Sequence, residues 1–197
     1  MGCGASTDEG IVMRGVGARV ILVLAVAIGV LPSVASGAVG AVAMGLNAVA
    51  PQGVLQAVSC TSRNACTAVG STAGRTLAVR WDGTSWAVRS TPNPDDAQTS
   101  SLSGVSCTSP GACMAVGPYT ASASNGNQKT LAERWDGTYW SILYTPTPIG
   151  QGPYGSALSG VSCTSANACT AVGGINGALT LAERWNGSEW VIQPTRV

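Results

Sequence analysis

The stretch that decides the fold is Val58-Ser59-Cys60-Thr61-Ser62, then Ala65-Cys66-Thr67-Ala68-Val69-Gly70, Thr76-Leu77-Ala78, Arg80-Trp81-Asp82-Gly83 and Trp86. It returns twice. The second copy runs Val105-Ser106-Cys107-Thr108-Ser109, Ala112-Cys113-Met114-Ala115-Val116-Gly117, Thr130-Leu131-Ala132, Arg134-Trp135-Asp136-Gly137 and Trp140. The third runs Val161-Ser162-Cys163-Thr164-Ser165, Ala168-Cys169-Thr170-Ala171-Val172-Gly173, Thr180-Leu181-Ala182, Arg184-Trp185-Asn186-Gly187 and Trp190. All 6 Trp of the chain fall in register. Matching at so many positions is the mark of a repeat architecture, and it governs the rest of the reading. The spacing is 47 residues from Cys60 to Cys107 and 56 from Cys107 to Cys163. That lies in or just above the range of propeller blades.

Within one copy the pattern gives four short strands. The first ends at the Val-Ser-Cys triplet and begins near Leu55, Leu102 or Leu158. The second is Cys-x-Ala-Val-Gly, the third runs from Thr-Leu-Ala to the first Trp, and the fourth starts at the second Trp. The fourth alternates apolar residues, as in Trp86/Val88, Trp140/Ile142 and Trp190/Ile192. No stretch beyond the leader has a helical period, so the body is all-β. Asp-Gly or Asn-Gly marks a hairpin between the third and fourth strands, at Asp82-Gly83, Asp136-Gly137 and Asn186-Gly187. A two-residue loop there pairs Trp81 with Thr84; a four-residue loop sets Trp81 opposite Trp86. Side chains alternate with period two, so either register puts both indoles on one side. Replacing Trp135 by Ala is expected to cost about 3–5 kcal/mol, read from the denaturation midpoint.

The segment before the repeats reads as an export leader. Met13, Arg14 and Arg19 precede an apolar run from Val20 to Leu31, and Pro32 ends it. Small residues follow at Ser33-Val34-Ala35 and Ser36-Gly37-Ala38, giving the three-part form of a secretory signal. The expectation is a signal helix within residues 1–38, a linker over 39–53, and a repeat domain over 54–197, divided 54–94, 101–148 and 157–197. The alternative is an uncleaved anchor, although a span needs about 20 apolar residues. Export implies a secreted or cell-surface bacterial protein, with the membrane touched only through an uncleaved leader.

Of 7 cysteines, Cys3 lies before the apolar run, and the rest form Cys-x5-Cys pairs. The repeat makes Cys60–Cys66, Cys107–Cys113 and Cys163–Cys169 the simplest connectivity. Each bridge closes a short loop, worth about 2 kcal/mol on a chain-entropy view. Buried free thiols and a metal site are the other readings. Zinc sites favour closer Cys spacing and often His, and the chain has 0 His, so no metal and no cofactor is expected.

The run Ala-Val-Gly, a variable segment and Trp-Asp-Gly-x-x-Trp resembles the blades of BNR/Asp-box-like β-propellers. With its paired Cys it is similar to repeats of secreted bacterial proteins. The resemblance covers about residues 54–197. The Asp-box of that family reads Ser/Thr-x-Asp-x-Gly-x-x-Trp. Asp82 and Asp136 match its Asp, Gly83 and Gly137 its Gly, Trp86 and Trp140 its Trp. Here Asp and Gly are adjacent, Arg80 and Arg134 stand where Ser/Thr is expected, and the third copy has Asn186 for Asp. The resemblance therefore implies the blade and its turn, and does not carry over the catalytic residues of the sialidases in that family. Closed propellers need about four to eight blades. Three copies imply an open arc, half of a six-blade homo-oligomer, or part of a larger ring. A β-trefoil is the alternative fold.

Composition narrows function by exclusion. Charged residues make up 10% of the chain and the net charge is +1, so the basic footprint of a nucleic-acid binder is missing. Without His no Ser-His-Asp triad is available. A glycosidase needs two carboxylates, and Glu133, Glu183, Asp82 and Asp136 exist, but they recur at equivalent repeat positions, as structural residues do. Asymmetry points elsewhere. The second copy carries the longest segment between its second and third strands, Pro118–Lys129. All 4 Tyr lie in or beside that copy, at Tyr119, Tyr139, Tyr144 and Tyr154. Loops on a rigid scaffold commonly carry recognition. The expectation is a non-enzymatic binding module for carbohydrate or protein, with a degenerate sialidase-like glycoside hydrolase as the alternative.

Overall fold

The computed structural model describes residues 52–148 and 155–195. The expected leader and Tyr154 lie outside them. Each repeat folds into its own antiparallel meander. The first holds β1 (Val54–Ser62), β2 (Ala65–Thr72), β3 (Arg75–Trp81) and β4 (Trp86–Arg89), hydrogen-bonded in that order. The second holds β5 (Ala97–Ser100), β6 (Gly104–Ser109), β7 (Ala112–Ala121), β8 (Gln128–Trp135) and β9 (Trp140–Leu143). The third holds β10 (Ser156–Ser165), β11 (Ala168–Ile175), β12 (Leu179–Trp185) and β13 (Trp190–Gln193). The fold is all-β, with three blade-like sheets. Each repeat closes its own sheet with no strand exchange, which sets the trefoil reading aside. Among the described residues the helical content is one 3₁₀ turn at Ser122–Ser124.

The second blade departs from the expected four strands. Its first strand is split in two, and β5 and β6 both pair with the long β7. The other blades show where the break comes from. Their first strands carry a register shift at the same place, between Leu55 and Ala57 and between Leu158 and Gly160. A bulge pushes the first strand's backbone toward the second, and the glycine of Ala-Val-Gly makes room. A Cβ on Gly70 would stand 1.8 Å from the Val54 carbonyl oxygen, and one on Gly117 2.0 Å from that of Ser101. No side chain fits there, which explains why every copy has Gly at this position.

The hairpin between the third and fourth strands takes the four-residue loop. Trp81 pairs with Trp86, Trp135 with Trp140 and Trp185 with Trp190, with ring centroids 5.7–5.9 Å apart. The Asp82 carboxylate accepts the backbone N–H of Thr84 at 2.8 Å and of Ser85 at 2.9 Å. Asp136 does the same for Thr138 and Tyr139, and Asn186 for Ser188 and Glu189. Gly83 supplies the positive φ of 98° inside this loop. An acceptor side chain and a glycine thus replace the two-residue turn, and Asn serves as well as Asp because only the oxygen is used. The bridges Cys60–Cys66, Cys107–Cys113 and Cys163–Cys169 join paired residues of the first two strands of each blade.

The blades pack face to face, and always in the same sense. The near face of the second blade (Leu102, Val105, Ala115, Leu131 and the pair Trp135/Trp140) forms one core with Val69 and Ala78 of the first. The near face of the third (Leu158, Ala171, Leu181 and Trp185/Trp190) forms another with Met114, Val116 and Ala132, the far face of the second. The second and third blades therefore sink their indoles into the far face of the blade before them. Polar contacts repeat with the same step. The Cys107 N–H donates to the Ser59 hydroxyl at 3.0 Å, and the Cys163 N–H to the Ser106 hydroxyl at 3.0 Å. The Arg80 guanidinium lies 4.8 Å from the centroid of the Trp135 ring, across the first interface.

Candidate functional site

Two kinds of position stand out once the frame is set: carboxylates sealed between blades, and a cleft open to solvent. Glu133 and Glu183 are fully buried, 0% exposed. By strand alternation they share the near face with Leu131/Trp135 and Leu181/Trp185, so each points at the preceding blade. Among the described residues none of their four carboxyl oxygens has a hydrogen-bond partner, nor do the Nε1 atoms of Trp135, Trp140, Trp185 and Trp190. Burial pushes Glu133 up to about 8 and Glu183 up to about 7. The two sit in different interfaces, closed to any substrate. Asp82 and Asp136 are fully exposed, and the backbone N–H groups they bind hold them below the usual carboxylate range. The four recurring carboxylates are thus structural by position: two between blades and two as turn acceptors.

The cleft lies on the near face of the second blade, beside the edge strand β9 and against the joint that leaves the first blade. It encloses about 530 Å³. Tyr119 of β7 and Lys129 of β8 are paired residues, and the ammonium sits 5.5 Å from the phenol ring centroid. Lys129 also meets the Asp96 carboxylate at 3.5 Å. Ile142 and Tyr144 continue the same face, Ile142 at 39% and Tyr144 at 86% exposure. The opposite wall is the joint, Asn93-Pro94-Asp95, and Thr145 and Thr147 complete the lining.

That wall is held in place by a clasp. The Asn93 carboxamide oxygen accepts the Thr76 N–H at 3.1 Å and the Ser100 hydroxyl. The Thr91 hydroxyl donates to the Thr76 carbonyl at 2.9 Å, and the Thr145 hydroxyl to the Thr130 carbonyl at 3.0 Å. Asn93, Thr91 and Thr145 are therefore engaged in the frame, while Asp95 and Tyr144 are exposed. The arrangement offers two phenol rings, a short apolar strip, one cation and one carboxylate around an open volume. This is the composition of a recognition site for a polar ligand with apolar faces.

Of the tyrosines marked by the sequence, Tyr119 and Tyr144 come together here. Tyr139 is 62% exposed within the β8–β9 turn, outside the cleft lining. The long segment Pro118–Lys129 extends the β7–β8 hairpin. Only its two ends reach the cleft, through Tyr119 and Lys129. Sequence reasoning passed over Lys129, Ile142 and Asp95. A signal existed for Lys129, the sole lysine of the chain. The Pro-rich joint drew attention only as a strand terminator. Among the described residues no group of three His, Cys, Asp or Glu side chains stands together as a metal site would require.

No family model matches the chain, and neither does any curated protein. Among solved structures it is similar to a fucose lectin from Kordia zhangzhouensis, determined in complex with methyl-fucoside. The two are 14% identical with a TM-score of 0.43, over 71% of this chain and 99% of the lectin. A likeness at this level says nothing of the ligand of this chain.

Proposed function

We propose that the chain is an exported, non-enzymatic carbohydrate-binding module whose site is the cleft between Tyr119, Tyr144 and the Asn93–Asp95 joint. The observation that carries this is the cleft of about 530 Å³ in which two phenol rings and Ile142 stand beside Lys129 and Asp95. A pyranose has C–H faces that pack on aromatic rings and a rim of hydroxyls that need charged or amide partners. Tyr is suited to that contact because it presents an apolar body with a polar tip. Export is supported by the leader and by a bridge in every repeat, since disulfides persist in oxidising compartments. The sealed positions of Glu133 and Glu183 and the turn roles of Asp82 and Asp136 favour binding over a sialidase-like hydrolysis.

The test pairs a glycan array with calorimetry on the best sugar found. Tyr144 is so exposed that Tyr144→Ala should leave the melting temperature within about 2 °C, as surface changes usually do. It is expected to weaken sugar binding at least tenfold. Full binding by both Tyr144→Ala and Tyr119→Ala would remove the cleft as the site. Turnover of a fluorogenic glycoside panel would instead restore the hydrolase reading.

A further inference from the structure

We propose that two copies of this chain associate through their terminal blades, the far face of the third blade of one copy covering the near face of the first blade of the other, so that two arcs close a six-blade ring. The argument rests on an interface the chain already makes twice. The far face of the first blade consists of Thr67, Val69, Thr76, Ala78 and Arg80. Its first four residues are buried, at 0–5% exposure, against the indole face of the second blade. The far face of the third blade carries Thr170, Val172, Thr180, Ala182 and Arg184, the same five residue types in the same order. There they are open: Val172 is 51% exposed, and Thr170, Thr180 and Arg184 are exposed too. A surface fitted to receive a tryptophan pair is thus presented to solvent.

The matching surface is at the other end. Leu55, Val58, Trp81 and Trp86 are the first-blade equivalents of Leu102, Val105, Trp135 and Trp140. Leu102 is 0% and Trp140 4% exposed, whereas Leu55 and Trp86 are each 50% exposed and Val58 60%. The middle of that face, Ala68, Leu77 and Val79, is already buried, so the part open to a second copy is its rim of Leu55, Val58 and Trp86. Where the second blade has its sealed Glu133, the first has Val79, so the proposed contact contains no unpartnered carboxylate. The polar step also continues. Ser162 is exposed and equivalent to Ser59 and Ser106, which accept the Cys107 and Cys163 N–H groups. The Cys60 N–H is the donor it lacks. Arg184 would lie over Trp81 as Arg80 lies over Trp135. A head-to-tail contact closes into a ring or runs on as a filament, depending on rotation. Two three-blade arcs give six, inside the range of closed rings.

Light scattering with size exclusion on the purified chain tests this. The expected mass is twice that of one chain, with Trp emission shifted to the blue relative to a monomer. Val172→Asp on one face and Leu55→Lys on the other change exposed residues. Each is expected to give a monomer that keeps the wild-type far-UV spectrum and its sugar binding, because neither touches the cleft. A wild-type monomer at 100-fold varied concentration would overturn the proposal, as would a dimer untouched by both variants. A polydisperse series in place of a dimer would overturn ring closure. Sugar binding and mass are separate readouts, so failure of one leaves the other standing.

Discussion

At the residue scale, the same side chain has a different physical state according to which blade carries it. Trp140 at 4% and Trp86 at 50% exposure occupy equivalent positions, and the difference is the neighbour, not the strand. The cost of about 3–5 kcal/mol expected for Trp135→Ala follows from its 4% exposure in the first interface. Glu133 gives a sharper test. Its folded pKa of about 8 lies above the ordinary value of 4.5, so folding favours the protonated form. That contribution is complete below 4.5 and is lost as pH rises toward about 8. The slope approaches about 1.4 kcal/mol per pH unit inside that window. Glu133→Gln keeps the volume and carries no proton to lose. Urea melts from pH 5 to 8 should show wild-type stability falling while the variant falls less, the remainder coming from Glu183, whose window closes near 7. Identical slopes in the two proteins would mean that Glu133 titrates as if in water.

At the element scale, the β3–β4 hairpin and its two counterparts are set by one oxygen and one glycine. Removing the oxygen in Asp136→Ala frees the N–H groups of Thr138 and Tyr139, which are exposed and can turn to water. The expected loss is therefore about 1 kcal/mol, the usual net worth of such a bond. Asp136→Asn should be close to neutral, since Asn186 already does this work in the third blade. Equal losses in the two variants, read by denaturant melts, would show that charge and not geometry holds the turn. These elements were legible in the sequence for a physical reason. A tryptophan pair five residues apart faces one way in either hairpin register, so the exact loop was not needed to place it. The strand β5 was not legible. Ala97-Gln98-Thr99-Ser100 has no apolar alternation, and it becomes a strand because β7 is long enough to offer it partners. The cleft was half legible for a similar reason. Tyr119 and Tyr144 announce themselves by type, whereas Asp95 and Ile142 join the site only because the joint folds back over the second blade.

At the scale of the whole molecule, stability in a repeat array is close to a sum of unit and nearest-neighbour terms. The second blade has a neighbouring blade on both faces, while the first and third each have one. In the monomer, amides of β7 and β8 should therefore exchange most slowly, since Val116 and Ala132 are at 0% exposure and their hydrogen bonds break only when both neighbours leave. Amides of β2 and β12 should exchange faster, because only one interface has to open. Hydrogen exchange on Val172→Asp measures this directly, that variant being the form without a second copy. In the wild-type chain, a closed ring gives every blade two neighbours, and the three sheets should approach a common rate. A gradient that survives unchanged in the wild-type chain would say that the terminal blades have gained nothing from one another. A flat profile in the variant would say that each sheet stands on its own bridge and hairpin, and that the packing of indoles into the preceding blade adds little to what one repeat holds by itself.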